Sequence, residues 1–175
     1  MKKSVLLLCA GIYAGGFLFA TDYKAKAQIK FLGDARVHSF EGTVSSQATI
    51  LKENQGQFEG VFTVEVLNMN TSKDARDKEM RHMLNFEKCP VIVGTLKNAK
   101  LANGQKLSFP LVINGVEALV EAEVKDVQVE ANKIHFHLDF PVSLEKHQLK
   151  APSFLMGAIK VKDTVKVSVD VDGTI

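Results

Sequence analysis

Three segments in the C-terminal half of the chain alternate between apolar and polar residues. They cover residues 116–125, 134–140 and 165–172. In the last of them, Val165, Val167 and Val169 are separated by single polar side chains. A period of two is typical of a β-strand with one buried face and one wet face. These segments therefore predict an antiparallel sheet that is covered on one side.

Further strands are predicted from shorter apolar or alternating runs. They cover residues 24–31, 37–40, 44–51, 62–67, 91–96 and 107–113. The runs 37–40 and 44–51 form one region, which Gly42 can bend. Turn sequences separate the runs at residues 54–56, 103–104 and 114–115, and Asn114-Gly115 is a strong hairpin signal. About eight strands joined in this way predict an all-β fold, either an up-and-down barrel or a sandwich.

Residues 68–90 interrupt this β pattern with one short helix. Asn70 and Thr71 suit the approach to a helix start, and Asp77 suits its first turn. Met80, Met83 and Leu84 then recur at helical spacing. The helix is expected near residues 74–84.

The first 20 residues have the pattern of a secretory signal peptide. Lys2 and Lys3 precede an uncharged run from Val5 to Phe19, and Ala20 is a small residue at the expected cleavage point. The run is short for a membrane span, although an uncleaved anchor is the alternative. We therefore expect a periplasmic or secreted protein, with one domain over residues 21–175 and no stable membrane span in the mature chain.

The mature chain is expected to be close to neutral. Removing the two lysines of the signal leaves the basic residues, 22 in the full chain, equal in number to the 20 acidic ones. A net charge near zero does not indicate a nucleic-acid-binding protein, because such proteins carry an excess of basic residues. Cys89 would be the single thiol left, and it is expected either to be buried or to pair with another chain.

Catalytic and metal-binding patterns are weak in this sequence. His135 and His137 lie on the same strand face, about 7 Å apart, but a zinc site needs three or four ligands. A solvated outer face is the simpler interpretation, and we predict no metal site. On the helix, Asp77 and Arg81 have the i,i+4 spacing of a surface ion pair.

Several motifs resemble those of the YceI-like family. They are Asn70-Thr71, Arg76-Asp77, Met80-Arg81, Phe86, Glu87-Lys88 and Pro90, together with residues 38–43 (HSFEGT), 111–116 (LVINGV), 151–157 (APSFLMG) and 161–165 (VKDTV). The resemblance spans about the whole mature chain. Cys89 departs from the family pattern, in which an aromatic residue is common before the proline.

The resemblance implies an extended, lipocalin-like antiparallel β-barrel that holds a long isoprenoid lipid, such as a polyprenyl or quinone tail, in its interior. Because no partnered nucleophile is visible in the sequence, we expect no catalytic residue, and we expect no cofactor other than this lipid. Small Ala118 and Ala122 are expected to leave room for the ligand. The residues expected to face the interior are Phe62, Val64, Val66, Met80, Met83, Leu84, Phe86, Val120, Phe136, Leu138, Phe140 and Phe154. The residues expected at the barrel mouth are Asn70, Thr71, Arg76, Asp77 and Arg81.

Two other function classes stay open at this point. The same inward residues could fill a dry core, which would suit a structural or stress-associated interaction protein without a ligand. Alternatively, Arg76, Asp77 and His82 could be acid–base groups of a hydrolase or isomerase. A homodimer formed through the mouth or an outer face is compatible with each of these functions.

Overall fold

The computed structural model describes residues 20–35, 39–151, 153–154 and 159–175. The expected signal peptide, except Ala20, lies outside the described residues. The strands, in chain order, are β1 (Thr21–Ala35), β2 (Phe40–Ser45), β3 (Thr49–Asn54), β4 (Gln57–Glu65), β5 (Val91–Ala99), β6 (Lys106–Ile113), β7 (Val116–Glu130), β8 (Lys133–Ser143), β9 (Ser153–Phe154) and β10 (Ile159–Thr174). Helix α1 spans Asp74–Met83, and short 3₁₀ turns cover Val66–Asn68 and Glu145–His147.

The strands form one closed antiparallel barrel. Neighbours pair in sequence from β3 to β8, β8 pairs with β10, and β10 pairs with β1 to close the ring. The long strand β1 pairs with β3 through residues 21–25 and with β2 through residues 28–33, so that β2 and β3 together occupy one position in the wall. The result is an eight-stranded lipocalin-like barrel with the short β9 as an extra strand, which confirms the barrel expectation over the sandwich.

The predicted hairpins form at the expected turns. Asn114 and Gly115 have positive φ angles of 55° and 71°, and Gln55 and Gly56 have 54° and 75°. Two successive positive φ angles are typical of the type I′ turn, whose twist matches that of the flanking strands. These turns set the register of β3 with β4 and of β6 with β7.

The expected strand over residues 44–51 is broken in the structure. The chain leaves the extended pairing at residues 46–48, between β2 and β3. Ser46 is buried there, and its hydroxyl accepts a hydrogen bond from the Ala27 backbone N–H at 2.9 Å. A side chain thus replaces a backbone carbonyl as the partner of β1, which lets the wall strand change direction without leaving a buried donor unpaired.

Helix α1 covers one end of the barrel. It follows residues 70–73, where Asn70 forms an isolated bridge with Thr43 of β2 and Ser72 has a positive φ of 61°. Met80 and Leu84 are buried, while Asp74, Lys78 and Glu79 are exposed. None of the helices in the described part of the chain has the length and apolar character required to cross a membrane.

Candidate functional site

The barrel encloses an apolar cavity of about 340 Å³. This volume lies within the range of small-molecule sites, about 300–1,000 Å³. Inward-facing aliphatic and aromatic side chains of the strands form most of the lining, and helix α1 contributes the rest. The lining residues include Ile29, Phe31, Phe40, Val44, Phe62, Val64, Ile92, Gly94, Leu96, Phe109, Leu111, Phe136, Leu138, Phe140, Val142, Val165, Val167, Val169 and Val171.

Partial exposure of inward-facing side chains shows that this half of the barrel is hollow. Ile29, Val64 and Val167 point inward by strand alternation, yet each is only half-buried. A packed core would leave them almost without accessible surface. The space that they face is the cavity, so the barrel core is not filled from end to end.

The opposite half of the barrel is packed. Tyr23, Leu51, Phe58 and Val124 are buried there and do not line the cavity. At Gly173, an added methyl group would lie 2.8 Å from Ile134 Cγ2. The cavity therefore ends on a closed floor.

Two reciprocal phenylalanine–glycine pairs keep aromatic rings against the wall. Phe31 lies opposite Gly42, and Gly33 lies opposite Phe40, in the register of β1 with β2. An added Cβ at Gly42 would overlap the Phe31 ring, and one at Gly33 would overlap the Phe40 ring. Each ring therefore covers the backbone of a glycine, and only a residue without a side chain permits this contact.

The mouth of the cavity lies beside α1. Met80, Met83 and Leu84 contribute apolar surface to the lining, and Arg76 and Glu79 are its charged members. The Arg76 guanidinium carbon is 4.9 Å from the centroid of the Phe40 ring, which is a cation–π contact. Glu79 is exposed and also lines the cavity, so the cavity reaches solvent at this point.

The helix is held over the mouth by Asp77, which is buried. Its Oδ1 accepts hydrogen bonds from the Thr71 backbone N–H at 2.8 Å and the Thr71 hydroxyl at 2.6 Å. Arg81 instead donates from Nη2 to the Leu67 carbonyl at 2.9 Å. The expected Asp77–Arg81 surface pair is therefore wrong, because tertiary partners take both side chains. Asp77 therefore has a structural role at the start of the helix.

The residues predicted to face the interior divide into two groups. Phe62, Val64, Met80, Met83, Leu84, Phe136, Leu138 and Phe140 line the cavity, whereas Val66, Phe86 and Val120 do not. The side chain of Phe154 lies outside what the structure describes.

The three residues outside the lining have local explanations. Val66 is buried in the 3₁₀ turn after β4, where the strand alternation has ended. Phe86 is half-buried in the turn after α1. Val120 is buried, but its cross-strand neighbour Phe109 lines the cavity instead. Ala118 and Ala122 are also absent from the lining, so they do not create the space that was expected of them.

The residues predicted at the mouth are also divided. Arg76 lines the cavity, whereas Asn70, Thr71, Asp77 and Arg81 form the frame that holds the helix. Glu79 and the aliphatic wall of β5 and β10 were missed as lining residues. The inward parity of Ile92, Val165 and Val167 was visible in the sequence and could have identified them.

A charged network covers the outer face of β7, β8 and β10. His135 Nδ1 is 2.8 Å from Asp172 Oδ1, and His137 Nδ1 is 2.7 Å from Asp170 Oδ1. His137 Nε2 is also 3.1 Å from Asp139 Oδ1. These partners lie outside the barrel, which agrees with the outer-face interpretation of the two histidines. Among the described residues, no three His, Cys, Asp or Glu side chains come together as a metal site would require.

The network shifts the protonation of its members. Partial burial by itself lowers the pKa of His137, but hydrogen bonds to Asp170 and Asp139 outweigh burial and raise that pKa above its ordinary value. Burial by itself raises the pKa of Asp139, but hydrogen bonds from Ser168, Lys125 and His137 lower it below its ordinary value. The protonated imidazole is therefore favoured, because both ring nitrogens face carboxylates.

Two isolated residues of the sequence also have defined positions. His147 is 1% exposed, and its Nδ1 is 3.0 Å from the Val116 carbonyl. Cys89 is half-buried, and its Sγ would lie 3.5 Å from a Cβ added at Gly115. The histidine therefore has a structural role. The thiol is partly buried, and its pairing with another chain stays the alternative.

Comparisons with known proteins identify the barrel. In structure, the chain is similar to BcnA from Burkholderia cenocepacia, with a TM-score of 0.68 and 13% identity, covering 85% of this chain and 96% of that one. It is also similar to a domain from Saccharophagus degradans, described as a polyisoprenoid binding domain implicated in plant cell wall breakdown, with a TM-score of 0.61 and 14% identity over 90% of this chain and 98% of that one.

A third similar structure is the YceI protein of Campylobacter jejuni, with a TM-score of 0.56 and 16% identity over 100% of this chain and 91% of that one. A comparison with curated proteins found no match. The family model of the YceI-like domain matches residues 21–172. The chain therefore belongs to the YceI-like family.

Proposed function

We propose that this protein is an exported carrier that holds the isoprenoid tail of a lipid in its barrel cavity. The observation that carries the proposal is the cavity itself, because it is lined almost wholly by apolar side chains and opens beside α1. An interaction protein with a filled core would not need such a space. No further cofactor is required for this function.

The energetics of the cavity suit an uncharged chain. Burying apolar groups contributes about 0.8 kcal/mol per CH₂, so one five-carbon unit contributes about 4 kcal/mol before the costs of ordering. The charged members of the lining, Arg76 and Glu79, stand at the mouth rather than at the floor. The apolar tail of the lipid is therefore expected to enter the cavity ahead of the headgroup. The polar end of the lipid then stays between these two side chains.

The comparisons support binding rather than catalysis. The YceI-like family is a family of binding proteins, and the structural relative from S. degradans is described as a polyisoprenoid binding domain. Extending that ligand class to this chain is our inference, because the two sequences are only 14% identical.

Export is the second part of the proposal, and it relies on the signal pattern of residues 1–20. Expression of the full chain in a bacterial host is expected to yield a protein that starts at Thr21 in the periplasmic fraction or the medium. Mass spectrometry of the intact protein measures this directly. A chain that keeps its first 20 residues and stays with the membrane would contradict export.

Lipid binding is tested by the lipid that co-purifies with the protein. We expect native mass spectrometry and solvent extraction to show a polyprenyl species bound to the wild type. Val167→Glu places a carboxylate in the cavity wall, where desolvation is costly, and it should abolish this species. Lys166→Glu, one residue earlier on the outer face of β10, should retain it.

The fold of both variants is checked by circular dichroism. A folded wild type that never carries or takes up a prenyl lipid would refute the carrier. Equal lipid content in the two variants would contradict the assignment of the cavity as the binding site.

A further inference from the structure

The floor of the cavity is closed by one cross-strand row of small and tightly packed residues. Ala27, Val171 and Phe136 lie side by side as the last row that lines the cavity. In the next row, Gly173 lies between Ala25 and Ile134.

A methyl group added at Gly173 does not fit among its neighbours. A Cβ at Gly173 would be 2.8 Å from Ile134 Cγ2, 3.1 Å from Tyr23 Cβ and 3.4 Å from Ala25 Cβ. Beyond this row, Tyr23, Leu51 and Phe58 are buried and do not line the cavity, so side chains fill the barrel interior there. Whatever enters the cavity must therefore enter at the mouth and stop at the Phe136 row.

The depth of the cavity follows from strand geometry. Lining residues run from Phe136 to Val142 on β8 and from Val171 to Val165 on β10, and Val161, which pairs with Ala35 beyond a register shift, adds one more layer at that end. Six residue steps of about 3.3 Å span about 20 Å along the strand, which a tilt of about 40° shortens to about 15 Å along the barrel axis. Leu144 extends this wall by a further inward-facing layer, so the depth is about 20 Å at most.

This depth limits the number of isoprene units inside. Three bonds of an extended chain span about 3.8 Å, so the four backbone bonds of an isoprene unit span about 5 Å. A depth of about 15–20 Å therefore holds about three to four units in extended form.

We propose that this protein selects isoprenoid tails by length, and that its preferred ligands carry about three to four units. The proposal rests on the carrier function proposed above and adds a limit to it. A longer tail finds the floor closed, so its remaining units stay at the mouth. There they meet the Arg76 guanidinium and the exposed Glu79 carboxylate instead of apolar surface.

The limit has a quantitative signature when the ligand is supplied from a lipid bilayer. Each unit in a bilayer is already buried, so transfer into the protein is close to neutral for a unit that enters the cavity. A unit left at the mouth loses its apolar surroundings. Each unit beyond about four should therefore lower the transfer from vesicle to protein, by up to about a thousandfold when the unit is fully exposed.

The experiment uses all-trans prenyl alcohols of two, three, four, five and eight units in phosphatidylcholine vesicles. The delipidated protein is mixed with each vesicle population and separated by flotation, and the alcohol in each fraction is quantified. We expect similar distribution ratios up to about four units and a steep fall beyond. Equal ratios for the four-unit and eight-unit alcohols would overturn the length limit, whereas no transfer of any alcohol would count against the carrier function itself.

A variant pair tests whether the floor sets the limit. Ile134→Ala removes part of the packed row, and it should move the limit to longer chains by about one unit. Leu119→Ala, on the outer face of β7 where the side chain is 67% exposed, should leave the limit unchanged. A folded Ile134→Ala protein with the same length limit as the wild type would contradict the role of the closed floor in setting that limit. If the variant does not fold, the wild-type series of prenyl alcohols still decides whether a length limit exists.

Discussion

The Gly94→Leu substitution should make the protein more stable and at the same time a poorer carrier. Gly94 lines the cavity from the middle of β5. A Cβ added there meets nothing closer than 3.7 Å, the distance to Leu111 Cδ1 and to Phe109 Cε2. The new side chain therefore enters the cavity without a clash.

The stability gain follows from burial and chain entropy. Burying a leucine side chain is worth about 1.5–3 kcal/mol, and removing a glycine from a strand adds about 0.5–1 kcal/mol. Ordering the leucine costs about 0.5–1 kcal/mol, which leaves a net gain of about 2 kcal/mol. For a domain of this size, each kcal/mol raises Tm by about 2–4 °C, so calorimetry should show an increase of about 4–8 °C.

The binding loss follows from the same volume. The four carbons of leucine displace about one isoprene unit, and at about 0.8 kcal/mol per carbon this weakens binding by about 3 kcal/mol, or about a hundredfold. Thr95→Leu is the matched control, because Thr95 is the next residue of β5 and faces outward by strand alternation. It should leave the binding of prenyl alcohols, measured by the vesicle assay, at the wild-type level.

The opposite signs of the two effects make the result decisive. In a packed core, an added leucine would lower stability by about 1–3 kcal/mol through strain. A Gly94→Leu protein that is less stable than the wild type and binds prenyl alcohols equally well would refute the hollow barrel.

Three further substitutions test the parts around the cavity. Asp77→Ala should lower the free energy of unfolding by about 1–3 kcal/mol, because it leaves the buried Thr71 donor without an acceptor. Asp77→Asn keeps an oxygen in place and should lower it less. Equal losses of stability in urea denaturation would contradict this explanation. The pKa of His137 is raised in the folded protein, so its contribution to stability should be full below the unfolded pKa of about 6.5 and should fade as pH rises through the folded value. His137→Gln should flatten that pH dependence of unfolding, while His82→Gln, on the exposed side of the helix, should not. Gly33→Ala should displace the phenyl ring packed on it and lower stability by about 1–3 kcal/mol; an unchanged Tm would show that the ring has room to move.

The sequence patterns predicted the barrel wall well. The alternation at residues 116–125, 134–140 and 165–172 appears as β7, β8 and β10, because one buried and one wet face leave no other regular structure for that period. The Asn114-Gly115 turn was also predictable, since both residues tolerate the positive φ that a two-residue hairpin needs. Helix α1 at Asp74–Met83 matches the spacing of the methionines.

Contacts between distant segments were not predictable from local pattern. Asp77 was expected on the helix surface, yet its oxygen accepts two hydrogen bonds from Thr71. Val120 has the alternation of a cavity residue but lies outside the lining. Period and spacing report which side of an element a residue faces, and they carry no information on what lies opposite.

The sequence by itself determined that this chain forms an antiparallel β protein with an apolar interior and one short helix, because periodicity and turn chemistry are local properties. Only the tertiary structure decided that the interior is hollow at one end and packed at the other. That difference depends on how side-chain volumes add up across the barrel. The rings of Phe31 and Phe40 pack on Gly42 and Gly33 and leave space, whereas the row at Gly173 leaves none.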